Sequence, residues 1–155
     1  MDKPAIAGGT PVRETKLYYG HQYIDDADVK AVSEVLVSEA LTCGPKVPEL
    51  ERRLCALTGA RHAVMCSNGT AALHIAMMAA GIGAGDEVIT SPITFAASAN
   101  CVLYCGGKPV FADIRPDTYN IDPESVRALI TDRTKAVVAV DYTGQAAALD
   151  ELLAL

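Results

Sequence analysis

Four short apolar segments, separated by stretches long enough for helices, constrain the fold of this chain more than any other feature. They begin about 22 to 27 residues apart, and their apolar residues are continuous instead of alternating with polar ones. Strands that are buried on both faces of a parallel sheet have this continuous pattern. The pattern therefore predicts an α/β fold. The predicted strands are Ala63–Cys66, Glu87–Thr90, Pro109–Ala112 and Ala136–Val140.

The segments between these strands are predicted to be crossover helices, because two parallel strands need a connection of about a dozen residues. These helices are expected over Thr70–Ala80, Phe95–Cys105 and Pro123–Ile130. Apolar residues at helical spacing predict two further helices before the first strand, over Asp26–Ser38 and Val47–Gly59.

The N-terminal segment carries Gly8 and Gly9 between Pro4 and Pro11, a composition that favours a mobile arm. The chain has 155 residues, which is the size of a single domain. We therefore expect an N-terminal arm over residues 1–24 and one domain over residues 25–155.

Composition and charge exclude several classes of protein. Half of the residues are apolar and 21% are charged, which is typical of a globular chain. The net charge of −6 disfavours nucleic acid and anionic membranes as partners. The longest uncharged apolar stretch, Ile75–Gly85, is too short to span a bilayer, and no secretory signal precedes it. Five cysteines without a C-x-x-C motif indicate a reducing compartment, hence the cytoplasm, and no metal site is expected.

The motif Ser67-Asn68-Gly69-Thr70 lies between a predicted strand and a predicted helix. Such a turn directs free backbone N–H groups and the positive end of the helix dipole beyond the strand, and Gly69 lets an anion approach closely. The motif therefore indicates a phosphate-binding turn, although a plain turn capped by Ser67 and Asn68 is the alternative. It matches neither the G-x-G-x-x-G nor the P-loop pattern.

An aromatic residue, Phe95, follows the second predicted strand at the equivalent place. Its ring could cover the face of a flat heterocycle, or it could pack the next helix onto the sheet. Asp113 and Asp141 follow the third and fourth strands, where a carboxylate is either a ligand contact or a turn cap. His74 lies inside an apolar helix and is expected to be a core residue.

A phosphate-binding turn beside an exposed ring suggests pyridoxal phosphate (PLP), a cofactor that needs a lysine for its Schiff base. The chain has six lysines. Lys108 and Lys135 precede their strands and so point to the opposite edge of the sheet. The others, Lys3, Lys16, Lys30 and Lys46, lie in the arm or on the N-terminal helices. None is placed to bind the cofactor.

These motifs resemble, in order and spacing, the sugar aminotransferases of the DegT/DnrJ/StrS type, which are PLP enzymes of fold type I. The resemblance runs from about Tyr18 to Leu155. Three segments further resemble the branch that acts in pseudaminic acid biosynthesis, although many relatives have a histidine where Asp141 stands. The family motifs are Leu41-Thr42-Cys43-Gly44-Pro45, Ser67-Asn68-Gly69-Thr70-Ala71-Ala72-Leu73, Gly85-Asp86-Glu87-Val88-Ile89 and Gly107-Lys108-Pro109-Val110-Phe111-Ala112-Asp113. The branch segments are Ser91–Phe95, Arg133–Val137 and Val140–Gly144.

The resemblance implies roles for individual residues. Gly69 and Thr70 would hold the cofactor phosphate, and Phe95 would stack on the pyridine ring of PLP. The sugar-nucleotide site would be lined by Tyr19, Glu39, Ala40, Leu41, Thr42 and Gly69. The implied reaction passes an amino group from glutamate, through the cofactor, to a UDP-linked keto sugar, in an active site shared across a homodimer.

The resemblance also implies that this chain is the N-terminal part of an aspartate aminotransferase-like large domain, a three-layer α/β/α structure with an incomplete sheet. The Schiff-base lysine and the aspartate that pairs with the pyridine nitrogen are expected beyond Leu155. The strand at Ala63–Cys66 is expected apart from the other three, because its neighbours come later in the sequence. Two other hypotheses stay open: a noncatalytic α/β binding module, and another fold-type I activity such as an aldolase or a desulfurase.

Overall fold

A computed structural model describes residues 3–155 and contains six α-helices and three strands in its described part. The chain divides into two compact units, one up to Arg53 and one from Leu54, and the boundary falls inside a helix. All five predicted helices are confirmed, with ends shifted by at most two residues. In chain order the elements are α1 Asp26–Leu36, α2 Lys46–Thr58, α3 Gly69–Ala79, β1 Glu87–Thr90, α4 Ala97–Tyr104, β2 Lys108–Phe111, α5 Pro123–Leu129, β3 Thr134–Val138 and α6 Leu149–Leu153.

In the first unit, α1 begins at a reciprocal cap. The Asp25 side chain accepts hydrogen bonds from the Ala27 and Asp28 amides, and the Asp28 carboxylate accepts one from the Asp25 amide at 3.0 Å. These backbone amides, which have no partner within the helix, are thereby hydrogen-bonded. Within residues 3–24, the described part of the segment predicted to be an arm, there is a single 3₁₀ turn, Ala5–Ala7. The division into an arm over 1–24 and a domain over 25–155 stays a prediction.

The sheet of the second unit is parallel, and its strand order is β2-β1-β3. β1 lies in the centre, and all four of its residues are buried. The Thr90 hydroxyl donates a 3.0 Å hydrogen bond to the Val138 carbonyl, so the carboxyl ends of β1 and β3 are joined by a side chain as well as by the ladder.

Helices cover both faces of this sheet. On one face, Val88 packs in a cluster with Met77 of α3 and with Cys101 and Val102 of α4. On the other face, the next residue of β1, Ile89, packs with Val126 of α5, and Leu152 of α6 contacts the same cluster. Successive residues of a strand point to opposite faces, so two adjacent β1 residues serve two separate cores. The three-layer α/β/α arrangement expected from the resemblance is thus observed.

The segment Ala63–Cys66 was predicted to be a strand, and this prediction is wrong for the chain described here. The segment belongs to neither a strand nor a helix, and Val64 is 74% exposed. A strand is defined by ladder hydrogen bonds to a neighbour, and the three-stranded sheet does not offer one to this segment. Its position outside the sheet agrees with the expected separation from the other three strands.

Among residues 3–155, no helix is long and apolar enough to cross a membrane.

Candidate cofactor and substrate site

The helices α3 and α4 both end at the amino edge of the sheet. After α3, the Gly81 carbonyl accepts a 2.7 Å hydrogen bond from Lys135, which lies at the start of β3. After α4, the chain enters β2 within three residues. The two helices also pack on each other, with the His74 and Tyr104 rings 5.2 Å apart in an edge contact. Because both helices end at the amino edge of the sheet, both begin on the side of its carboxyl edge. Gly69 and Phe95, at or just before these helix starts, therefore lie on the carboxyl side of the unit.

The start of α3 has the features of an anion site. Asn68 is the N-cap residue, and its side-chain oxygen accepts a 2.9 Å hydrogen bond from the Ala71 amide, while its NH₂ donates to the Ser67 hydroxyl at 3.0 Å. The backbone amides of Gly69 and Thr70 donate to no other described residue. These two amides therefore remain available at the positive end of the helix dipole.

The space in front of Gly69 is open. A Cβ atom built on this residue would meet no heavy atom within 4 Å. Since the protein itself leaves this space empty, the glycine is not required for packing, and its missing side chain gives a ligand access to the backbone. Two free amides with open space in front of them fit a phosphate group. The first amides of any helix lack intrahelical partners, so a plain turn capped by Asn68 stays the alternative interpretation.

Phe95 lies two residues before α4 and is 78% exposed. The alternative interpretation, in which this ring packs the helix onto the sheet, is therefore wrong. The turn that carries the ring is held by other residues: the Ser91 hydroxyl accepts from the Ile93 amide at 3.1 Å, and the Thr94 and Ser98 hydroxyls are 2.7 Å apart. An exposed ring on a fixed turn is suited to cover a planar ligand.

The carboxylates of Asp113 and Asp141, at the ends of β2 and β3, make hydrogen bonds to the backbone. Asp113 accepts from the Ile114 amide at 2.8 Å, and Asp141 accepts from the Ala147 amide at 2.9 Å. The structure thus supports the interpretation of both residues as turn caps. His74 is half-buried within α3, in contact with Tyr104.

Asn120 is a buried residue of this region that the sequence analysis missed. It is 3% exposed and lies on the connection between β2 and α5, yet its side chain makes three hydrogen bonds to the backbone of the loop that follows β3. The available signal was weak, because Thr118-Tyr119-Asn120 matches an ordinary polar turn. Its partners are more than twenty residues away in the sequence.

Of the residues assigned to the sugar nucleotide, Tyr19 and the segment Glu39–Thr42 lie in the first unit, and Gly69 lies in the second. Ala40 and Leu41 line an apolar pocket of about 180 Å³, and neither Glu39 nor Thr42 is among its lining residues. The loop is tight, because a Cβ on Gly44 would lie 2.6 Å from the Ala40 carbonyl oxygen. A pocket of this size is below the roughly 300 to 1,000 Å³ typical of ligand sites. Tyr19 is fully exposed in the same unit.

The lysines of the sheet occupy the edge expected for them. Lys108 lies 3.1 Å from Glu87, and Lys135 lies 3.2 Å from Asp86, and both acids are at the start of β1. Both ammonium groups are therefore at the amino edge, away from the ends of the strands where the phosphate-binding turn and Phe95 are expected to act. Among residues 3–155 there is no cluster of side chains that could hold a metal ion.

Comparisons with known proteins agree with this architecture. The spore coat polysaccharide biosynthesis protein SpsC of Bacillus subtilis is 48% identical over 139 residues, which is 90% of this chain and 36% of that protein. The UDP-2-acetamido-2-deoxy-3-oxo-D-glucuronate aminotransferase of Pseudomonas aeruginosa is 46% identical over 132 residues, 85% of this chain and 37% of its own length. The chain thus spans little more than a third of the length of these relatives.

Solved structures show the same likeness. Helicobacter pylori PseC, an aminotransferase involved in the biosynthesis of pseudoaminic acid, has a TM-score of 0.81 at 37% identity, over 89% of this chain and 38% of that one. The PLP form of the sugar aminotransferase Spr1654 from Streptococcus pneumoniae has a TM-score of 0.81 at 35% identity, over 85% of this chain and 34% of that one. The family model described as the DegT/DnrJ/EryC1/StrS aminotransferase family matches residues 22–155, and the chain belongs to this family.

Proposed function

We propose that the protein containing this chain transfers an amino group from glutamate to a UDP-linked 4-keto-6-deoxy amino sugar, with PLP as its cofactor. The observation that carries the proposal is the start of α3, where two partnerless amides face open space beside Gly69. When bound, PLP supplies the electron sink that lets an amino group leave glutamate and enter the keto sugar. Glutamate becomes 2-oxoglutarate, and the keto group of the sugar becomes an amine.

This chain would contribute the binding of the cofactor. The Gly69 and Thr70 amides, with the Thr70 hydroxyl, would hold the phosphate, and the exposed ring of Phe95 would cover one face of the pyridine. The N-terminal unit would contribute Tyr19 and the segment Glu39–Thr42 to the sugar-nucleotide site. Lys108 and Lys135 pair with acids at the amino edge and so are not positioned to form the Schiff base. As the resemblance implies, the Schiff-base lysine and the aspartate beside the pyridine nitrogen would come from outside residues 1–155.

The finer assignment is to pseudaminic acid biosynthesis, in a cytoplasmic homodimer with a shared active site. Support comes from the Ser91–Phe95, Arg133–Val137 and Val140–Gly144 segments and from the structural likeness to PseC. The relative from P. aeruginosa acts, by its name, on a 3-oxo sugar. The position of the keto group is therefore the point that an experiment must decide.

The test uses the full-length protein supplied with PLP, glutamate and either of two UDP sugars, one with a keto group at C4 of a 6-deoxy amino sugar and one at C3 of a uronic acid. We expect 2-oxoglutarate and an amino sugar, identified by mass, from the 4-keto substrate. Turnover of the 3-keto substrate alone would contradict the assignment to pseudaminic acid biosynthesis. If neither substrate is turned over with glutamate, the proposed function is contradicted. Borohydride reduction should label a lysine other than the six in this chain, and labelling of Lys108 or Lys135 would contradict the argument from the sheet edges.

A further inference from the structure

The loop that follows β3 leaves the sheet at a topological switch point. From β1 the chain continues into α4 on one face of the sheet, whereas from the neighbouring strand β3 it continues into α6 on the other face. In open α/β sheets, ligands bind in the crevice between two such strand ends. By this rule a ligand would lie between the turn that carries Phe95, which follows β1, and the loop over residues 139–148, which follows β3.

This loop contains a strained residue. Thr143 has a φ of 54°, in the left-handed region that a β-branched residue rarely adopts. Such conformations persist only where surrounding contacts hold them, and they concentrate at functional sites. The hydroxyl of Thr143 donates to the Tyr142 carbonyl at 2.7 Å, which is a contact within the loop and does not hold it to the rest of the fold.

Asn120 supplies the contacts that hold the loop. Its NH₂ group donates to the Gln145 and Ala146 carbonyls at 2.9 and 3.0 Å, and its side-chain oxygen accepts from the Tyr142 amide at 2.9 Å. All the polar capacity of the side chain except one acceptor site is thus directed at one short segment. The Tyr119 and Tyr142 rings, 6.2 Å apart, add an apolar contact between the same two loops.

The backbone of Asn120 is fixed in turn. Its carbonyl accepts a 2.9 Å hydrogen bond from the Arg115 amide, and Ile121 forms an antiparallel bridge with Ile114. The neighbouring Ile121 is buried in the core with Val126. Because its backbone is fixed to the core, the Asn120 side chain can hold the loop in one position relative to the core.

We propose that Asn120 is a positioning residue for the cofactor and substrate site: it holds Tyr142–Ala146 in the strained conformation that forms one wall of the crevice at the carboxyl ends of β1 and β3. This inference rests on the proposed function, since it assigns the crevice to that site. Asn120 itself is buried and touches the backbone of the loop, so it acts through the loop and not on the ligand.

The test compares three variants of the full-length protein. Asn120→Asp replaces the NH₂ group with an oxygen that faces two carbonyls, and should speed amide exchange over residues 142–147 at least tenfold and weaken PLP binding at least fivefold. Thr143→Gly, added to Asn120→Asp, should recover part of both losses, because glycine adopts a positive φ without strain. Thr131→Val is the matched control, since it removes a hydrogen bond to Glu87 at the opposite edge of the sheet, and should change neither quantity.

The outcomes separate this inference from the function on which it rests. Faster exchange in Asn120→Asp with PLP affinity within twofold of wild type would overturn the positioning role and leave the proposed function intact. Unchanged exchange would show that Asn120 does not hold the loop. If Thr131→Val changes amide exchange and PLP affinity as much as Asn120→Asp does, general destabilisation explains both results and the inference is overturned. If Asn120→Asp does not fold, Asn120→Ala gives the same comparison without the added oxygen. A wild-type protein that binds no PLP would overturn the proposed function first, and the positioning role with it.

Discussion

The guanidinium of Arg133 lies 2.9 Å from the carboxylate of Glu87, although 46 residues separate them in the sequence. Glu87 is 4% exposed at the start of the central strand. The hydrogen bond from Arg133, followed by those from Thr131 and Lys108, lowers the pKa of Glu87 from 4.5 to about 2. The three donors come from the residues that begin or precede both neighbours of β1, so one buried carboxylate joins the amino ends of all three strands.

Replacing Glu87 should change how stability depends on pH. Because the pKa is lower in the folded state, the carboxylate stabilises the fold fully above about pH 4.5, and this stabilisation is lost as the pH falls toward 2. Glu87→Gln should therefore lower the thermal midpoint of the full-length protein at pH 7 and flatten its decline between pH 5 and pH 3. Glu124→Gln removes an exposed ion pair with Arg127 and should leave the decline as steep as in the wild type. An equally steep decline in Glu87→Gln would contradict the assignment.

Gly69→Val should abolish or severely weaken cofactor binding without disturbing the fold. A Cβ at this position meets no heavy atom within 4 Å, so the new side chain should act mainly by filling the space that a phosphate would need. Gly83→Val is the matched control, because a Cβ at Gly83 also meets nothing within 4 Å but lies in the turn before β1. Equilibrium titration of the full-length apoprotein with PLP measures both. Wild-type affinity in Gly69→Val would exclude this turn as the phosphate site.

Phe95→Ala should weaken PLP binding by roughly two- to thirteen-fold, the equivalent of about 0.5 to 1.5 kcal/mol of aromatic stacking. The ring is largely exposed, so the thermal midpoint of the apoprotein should stay unchanged. Tyr104→Ala removes a half-exposed ring from the opposite end of α4 and serves as the control. If Phe95→Ala lowers the thermal midpoint but leaves the affinity for PLP unchanged, the ring has a packing role and does not stack on the cofactor.

Residues 1–155 expressed alone should self-associate and have no transaminase activity. Val64 is exposed in the segment that found no strand partner, and Ile75 and Met78 are exposed on α3 at 45% and 61%. Large exposed apolar side chains favour association where they form a common surface. Sedimentation velocity should show oligomers whose proportion falls in Val64→Lys but not in Val12→Lys, which changes a more exposed valine in the N-terminal segment. A monomer with a sharp thermal transition and slow amide exchange over residues 63–66 would contradict the prediction.

Local sequence patterns predicted the elements whose determinants are local. Asn68, one of the two cap residues considered from the sequence, caps α3. Asp122, directly before Pro123, caps α5. The continuous apolar run at Ala63–Cys66 has the same pattern as the three true strands, but it is not part of the three-stranded sheet. Strand pairing depends on residues that are far away in the sequence, so no local pattern could show that this segment stays outside the sheet.

The candidate site shows the same division. Gly69, Thr70 and Phe95 stand in motifs next to element ends, so the sequence and its resemblance to the family could propose them as site residues. The link between Asn120 and the loop after β3 joins segments that only the folded chain brings together. Buried polar contacts between loops that are far apart in the sequence produce no periodic pattern, so they cannot be predicted from a single sequence.

The strand order β2-β1-β3 has a consequence for folding during synthesis. All three strands lie within residues 87–138, so this sheet can assemble as soon as that stretch has left the ribosome. The family arrangement expected for Ala63–Cys66 gives that earlier segment its neighbours only much later in the chain. At about 5 to 20 residues per second, the segment would wait on the order of ten seconds or more, with Val64 exposed. During translation of the full-length protein, this interval is when a chaperone would protect it most.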